Sequence, residues 1–385
     1  MDSTLPPTDR SSFRIAIVCA LPREADAVTL LFDQFWDETD DPFGRADGDT
    51  NSCIITGRIG KHNVVLAILP GMGTNNAAAA TAHLRTSYVG LRLALLVGVC
   101  GGLPRIDDMD AYLGDVVVSK SVVQYDYGRL FPGYFSVKDT IKDSLGSANK
   151  DIRSLLAVFE TEFMMRRLKM DTEKHLKQLQ ENAKKERRKA KYQYPGSEKD
   201  QLYPPNYWHI HRNSCSTCSN GEFCESVSKL SCIEAGCKPS DLVRRERSED
   251  IPEGSNFYPE IFMGRIGSSN TVMRSGKDRD DMASTHNLIA FEMEGAGAWD
   301  EIPCIIIKGI CDYADSHKNK SWQDFAAATA ASVAKAILGR YSVVDGTETN
   351  DQRKAISRTV TGSSFGDGAW INQGDVVGNI TFNTP

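Results

Sequence analysis

Strand-length runs of apolar residues recur along this chain, each ending in a glycine, a proline or an acidic residue. Phe13-Arg-Ile-Ala-Ile-Val-Cys-Ala20 is the first, and Pro22 then opens a helix carrying Glu24, Ala25, Val28 and Leu31. Ser52–Ile59 and His62–Leu69 read as two strands around Gly60-Lys61. Pro70–Asn75 ends the second, and an Ala-rich helix follows to about Ser87. Arg92–Val99 is a continuous apolar strand stopping at Gly101-Gly102, and Leu113–Val118 and Val122–Tyr125 extend the pattern. After an interruption the rhythm resumes with Ile261–Ile266, Ile289–Met293 and Cys304–Ile310, and Ser321–Leu338 is a closing helix with Ser321 as its cap. Strands that are apolar throughout need cover on both faces, so the chain is expected to be α/β, with a sheet between helical layers.

Composition narrows the classes. A formal charge of -6 argues against a general nucleic-acid or anionic-membrane binder, because both need a cationic field. Met1–Ser12 has no apolar stretch of the signal-peptide kind, and the longest apolar runs are strand-sized rather than membrane-spanning. The profile is cytoplasmic. Of the ten cysteines, Cys19, Cys100, Cys304 and Cys311 sit inside apolar runs, where cysteine acts as a small hydrophobe, and thiols are the default state. The expected organisation is an extension over 1–12, one domain over 13–342 with an insertion at about 150–256, and a Gly/Asn-rich tail or linker over 343–385.

The insertion has two parts. Ile152–Tyr192 carries a long helical pattern that becomes strongly basic, but interleaved Asp171, Glu173, Glu181 and Glu186 favour a solvated helix over a polyanion-binding one. Tyr203–Cys237 is loop-like and rich in cysteine. Cys215-x-x-Cys218 has the spacing of one edge of a tetrahedral zinc site, and with Cys224, Cys232, Cys237 and His209 and His211 just upstream the stretch could supply four ligands. The other spacings match no common zinc class, and the alternative is a loop with free thiols, or a disulfide if the compartment is oxidising.

Two acidic clusters follow buried runs, where open α/β sheets place their ligands. They are Phe291-Glu-Met-Glu-Gly-Ala296 and Ile310-Cys-Asp-Tyr-Ala-Asp315. Each alone reads equally as a helix cap or turn, and Glu24 alone as an acid favouring a helix N-terminus.

Taken together, Ile17–Glu24, Gly71-Met-Gly73, Val97–Gly102, Leu113–Ser119, Phe291–Glu294 and Ile310–Asp315 occur in one order over most of 13–145 and 256–340. In these segments the chain resembles the nucleoside phosphorylase and nucleosidase superfamily. The resemblance implies a three-layer α/β/α sandwich around a twisted, partly closed mixed sheet, and cleavage of a purine N-glycosidic bond through an oxocarbenium-like transition state. It assigns Glu294 to the ribose hydroxyls, Met293 to packing on the sugar, and Asp312 to purine N7 as general acid. That role needs a carboxyl raised by burial, which an apolar strand before Asp312 would supply. Val272 and Met273 are expected at the base pocket, and Cys100 and Gly101 at the substrate. No cofactor is required for this chemistry, and zinc, if held, is structural.

Glu24 bears on the nucleophile. Ala20-Leu-Pro-Arg-Glu24 aligns with the element that activates water in the nucleosidase branch, and a carboxylate suits water better than a phosphate dianion. Arg23, turned inward, would instead serve phosphate. Hydrolysis of adenosine or a close relative is the first expectation, and phosphorolysis the alternative. A third reading is a nucleoside sensor that does not cleave, because Phe291–Trp299 and Lys308–Lys320 resemble the N-terminal modules of fungal NOD-like immune receptors. Tyr125, Tyr127 and Phe131 are expected near the 5′ end, and His317 either assists the substrate or belongs to a polar loop. The superfamily habit also implies a homodimer or homotrimer.

Overall fold

A computed structural model of the chain describes residues 5–36, 43, 53–138, 140, 145–212, 215–220, 224–245, 257–318 and 320–342. The 343–385 tail and the last part of the insertion lie outside the described residues. The first half runs β1 (Ile15–Cys19), α1 (Pro22–Thr29), β2 (Gln34–Phe35), β3 (Cys53–Ile59), β4 (His62–Ile68), α2 (Thr74–Ser87) and β5 (Leu93–Gly102). Short strands β6 (Arg105–Ile106) and β7 (Met109–Asp110) precede β8 (Val116–Gln124) and the hairpin of β9 (Gly128–Phe131) and β10 (Tyr134–Val137). The insertion supplies α3 (Lys150–Phe159), α4 (Glu162–Lys185), α5 (Ser216–Ser219) and α6 (Cys232–Ala235). The chain then forms β11 (Ile261–Ser268), α7 (Gly276–His286), β12 (Leu288–Glu292), α8 (Gly295–Ala298), β13 (Cys304–Asp312) and α9 (Gln323–Arg340).

Nine strands form the main sheet among the described residues, in the order β12-β11-β8-β13-β5-β1-β4-β3-β2. Parallel pairs (β1 with β4 and β5, β13 with β5, β11 with β8 and β12) mix with antiparallel ones (β13–β8, β3–β4). At its far end β5 also pairs antiparallel with β12, Gly101 opposite Phe291 and Gly102 opposite Ala290, so one part of the sheet closes on itself. This is the three-layer, partly closed mixed sheet anticipated above. Closure brings the ends of β5, β12 and β13 together, and the site lies there.

The helices follow from their sequences. Pro22 sits in the first turn of α1, where its missing N–H costs nothing. In α9 every residue from Phe325 to Leu338 is buried, as an alanine-rich helix with no polar face must be. It packs on β13, β5 and β8, and is covered from outside by α1 and α4. It begins at Gln323 after Trp322, so Ser321 is not its cap. The basic pattern at 152–192 is two helices, because Thr161 starts a new one by accepting from Met164 N–H. α4 buries only Leu168, Thr172, Leu176, Leu179 and Ala183, a stripe at helical spacing, and leaves its basic residues outward. Val116–Gln124 is one strand, where the sequence suggested two.

Glycines set two close approaches. A Cβ on Gly297 of α8 would run into the Thr74 carbonyl at the start of α2, so α2 and α8 touch backbone to backbone. A Cβ on Gly309 of β13 would run into the Ala326 carbonyl of α9. Gly309→Ala is therefore expected to destabilise the fold by about 1–3 kcal/mol in urea unfolding, since neither backbone can yield cheaply. A variant as stable as the parent would show that α9 is not seated directly on β13.

Candidate active site

The strand ends enclose a cavity of about 280 Å³, lined in part by Ala20, Val99, Tyr125, Phe291 and Met72. Glu24, Cys100, Gly101, Val272, Met273, Met293, Glu294 and Asp312 all line this one cavity. Residues from positions 24 to 312 thus meet where the closed part of the sheet ends.

Glu24 is buried at the start of α1. Its Oε2 accepts from Ala20 N–H and Leu21 N–H, both at 2.9 Å, and its Oε1 accepts from Val99 N–H at 2.9 Å. Gly98 makes this approach possible, because a Cβ there would strike the Glu24 carboxylate. Burial pushes the Glu24 carboxyl above its ordinary value; Lys308 pulls it back and Glu294 pushes it further up.

Glu294 lies across the cavity from the β1 end of the sheet. Its Oε1 accepts from Gly73 N–H at 3.4 Å at the start of α2, and its Oε2 accepts from Lys308 Nζ at 2.9 Å. Glu292 stands 4.0 Å from the same ammonium and accepts from Glu294 N–H and Gly295 N–H. Burial raises the Glu292 carboxyl, and the Glu294 charge raises it further. Burial alone would lower Lys308, but Glu294, Glu24 and Glu292 override it and hold the ammonium above its ordinary value. Sequence reading missed this lysine. The one available signal was a charge inside the apolar strand Cys304–Ile310.

Asp312 differs from expectation. The strand before it is not wholly apolar, and the Asp312 side chain keeps 12% exposure. Lys318 Nζ lies 2.9 and 3.0 Å from its two oxygens, and Ala314 N–H donates to Oδ1 at 2.9 Å. Ala314 takes a left-handed φ of 52°, costly for a residue with a Cβ, to turn the chain at this point. Gly101 faces the same turn: a Cβ there would sit 3.0 Å from Asp312 Oδ1 and 2.9 Å from the Ala314 Cβ. Any group that meets Asp312 in the cavity therefore also meets Lys318, which itself lines it.

Other expectations divide. Tyr125 is buried at the wall, edge-on to Phe291 at 5.5 Å and donating to the Thr271 carbonyl. Tyr127 and Phe131 are half exposed on the β9–β10 side and do not line the cavity. His317 does not line it either; its ring stacks on Tyr203 at 4.3 Å, against the insertion. Arg23 points away and pairs with Asp324 at 2.9 Å. Ser228, from the insertion, is an unanticipated part of the wall.

A family model described as the phosphorylase superfamily matches residues 14–179. A nucleotide-binding leucine-rich repeat (NLR)-like protein of Hyaloscypha variabilis is 31% identical over 332 residues, 85% of this chain and 29% of that protein. Residues 14–179 thus carry the phosphorylase-superfamily pattern. A 5′-methylthioadenosine/S-adenosylhomocysteine nucleosidase of Mycobacterium tuberculosis is 40% identical over 75 residues, 20% of this chain and 27% of that protein. The matched stretch is thus under a third of either curated relative. A nucleosidase of Helicobacter pylori, solved with 5′-methylthioadenosine in its active site, shares the fold at a TM-score of 0.50 and 14% identity. That comparison covers 86% of this chain and 99% of the other. A superfamily fold thus carries an added insertion that reaches the cavity.

Lys308 offers the sharpest test of the site's electrostatics. Glu24 and Glu292 bind protons more tightly in the folded chain than in the unfolded one. Each therefore makes stability fall as pH rises from the ordinary value of 4.5 toward its raised one. Lys308→Met strands the carboxylates without their cation. It is expected to cost about 3–5 kcal/mol near neutral pH and to steepen the loss of stability above about pH 4.5. Unfolding midpoints measured from acid to neutral pH would show it; parallel curves for parent and variant would contradict it.

Proposed function

We propose that this chain hydrolyses the N-glycosidic bond of adenosine or a closely related purine nucleoside. The observation carrying this reading is the pairing of an inward Glu24 with an outward Arg23. A buried carboxylate raised by its surroundings suits the removal of a proton from water. The neighbouring arginine that would bind phosphate is held by Asp324 instead.

The remaining groups fit the charges that develop. As the bond breaks, positive charge builds on the ribose, and the cavity presents Glu24, Glu292 and Glu294 around a single buried lysine. Glu294 has hydrogen-bond capacity for the 2′- and 3′-hydroxyls, with Met293 beside it against the sugar. Negative charge builds on the purine, where Asp312 and Lys318 together offer a proton donor and a cation. Phe291, Tyr125, Val272 and Met273 provide apolar surface for the ring. In the balanced step, water adds to C1′, Glu24 takes its proton, and the departing base gains a proton at N7 from the Asp312–Lys318 pair. Similarity to a nucleosidase of Mycobacterium tuberculosis supports water as the nucleophile. Cytoplasmic residence and a homo-oligomer, as in the superfamily, complete the reading; no helix among the described residues is long and apolar enough to cross a membrane.

A second reading has its own observation. The relative matching most of this chain is described as NLR-like, so a module that binds nucleosides without cleaving them is the competing proposal.

Incubation with adenosine, inosine and guanosine, with and without phosphate, separates these readings. Free ribose without phosphate is expected. Ribose 1-phosphate formed only with phosphate would overturn the role given to Glu24, and tight binding without turnover would favour the sensor. In an active enzyme, Glu24→Gln is expected to lower kcat by about 10²–10⁴ with little change in KM. Arg23→Ala should leave hydrolysis near the parent rate; a large loss would return phosphate to consideration.

A further inference from the structure

The cysteine-rich insertion gathers its histidines and thiols into two sets. In the first, Nδ1 or Nε2 of His211 and the sulfurs of Cys215, Cys218 and Cys224 all lie within 4.8 Å of one another. His211 Nδ1 is 3.4 Å from Cys218 Sγ and 3.6 Å from Cys224 Sγ. In the second, ligand atoms of His209, Cys237 and His317 fall within the same span. His209 Nδ1 is 3.6 Å from Cys237 Sγ and 3.9 Å from Cys232 Sγ. A tetrahedral zinc, with Zn–S near 2.3 Å and Zn–N near 2.0 Å, holds its sulfur and nitrogen ligands about 3.6 Å apart.

Two features of the second set go beyond proximity. His209 Nε2 stands 3.2 Å from the carbonyls of Val227 and Leu230, which places its N–H there and leaves the Nδ1 lone pair facing the cysteines. Metal-bound histidines are oriented in this way. His317 is 2% exposed at its side chain, and both its ring nitrogens are buried without a hydrogen-bond partner. An imidazole buried with neither nitrogen satisfied is expensive unless something takes the lone pair. Asp315 Oδ2, 3.8 Å from His317 Nδ1, is in position to orient the ring from behind.

We propose that the insertion binds two structural zinc ions, one held by His211, Cys215, Cys218 and Cys224 and the other by His209, Cys232, Cys237 and His317. The donor sets, Cys₃His and Cys₂His₂, are those of closed tetrahedral zinc sites. The need is physical as well. Among the described residues, the cysteine-rich part's own apolar cluster has only Tyr203, Val227, Ala235 and Cys237 as buried members, and its helices α5 and α6 are four residues each. A core that small does not hold a loop in place without a staple. The ligands also interleave, since His209 and His211 serve different ions, so each ion fixes the other's frame.

The second ion has the larger consequence. His317 belongs not to the insertion but to the loop that leaves Asp312 at the end of β13 and carries Lys318, and Ser228, at the cavity wall, lies between Cys224 and Cys232. Zinc would thus fasten the insertion to the catalytic loop. This inference stands on the ligand geometry and does not depend on which nucleophile the enzyme uses.

Elemental analysis of the full chain, purified under reducing conditions without chelator, tests it. About two zinc per chain are expected, falling to about one in Cys215→Ser and to about one in His317→Ala, with Cys304→Ala unchanged. Should the variants fold poorly, cobalt replacing zinc in the parent chain gives an independent readout: absorption bands of tetrahedral thiolate-bound Co²⁺ at two equivalents. A parent chain that neither contains zinc nor takes it up overturns the proposal. So does disulfide pairing of these five cysteines in the reduced-purified protein, or a zinc content untouched by both ligand substitutions.

Discussion

One buried ammonium sets the electrostatics of the cavity. Lys308 rises from the middle of β13 into a space where Glu24, Glu292 and Glu294 converge, and it bonds only the last of these at 2.9 Å. Three carboxylates around one cation leave an excess of negative charge in a place water reaches poorly. The surroundings respond by pushing Glu24 and Glu292 up, and by supplying backbone N–H groups to both. A site so built is poorly matched to a neutral group and well matched to one that is gaining positive charge.

The second pole of the cavity is organised differently. Asp312 and Lys318 form a close pair on a loop whose turn depends on Ala314 in a left-handed conformation and on the bare face of Gly101. There the charges balance instead of accumulating. The polarity of the pocket runs from an anionic end at Glu24, Glu292 and Glu294 to a paired end at Asp312 and Lys318, the direction in which electrons would move in the proposed cleavage.

Much of this was legible from residues alone, and the reasons are specific. Glu24, Glu294 and Asp312 stood out because each follows an apolar run, and sheet ends are where such runs deliver side chains. Lys308 did not, since a single lysine within Cys-Ile-Ile-Ile-Lys-Gly-Ile reads as a register position rather than as the partner of three distant acids. Lys318 and His317 sat in a stretch that looks like an ordinary polar loop, and only the fold sends one to Asp312 and the other to the insertion. The break between α3 and α4 was hidden for another reason: the apolar stripe continues across it, while one hydroxyl at Thr161 restarts the helix. The tail over 343–385 lies outside the described residues, so its sequence reading stands by itself.

The contact between α8 and α2 has a meaning beyond packing. Because Gly297 has no side chain, the carbonyl of Thr74 rests against it, and the Gly73 amide at the start of α2 comes to face Glu294 at the start of α8. The spacing of this end of the cavity is therefore gauged by an absent atom, three residues along the chain from Glu294. Lineages that altered this contact would change the aperture of the pocket while keeping its residues. The size of ligand this architecture admits can drift without a single substitution in the cavity lining.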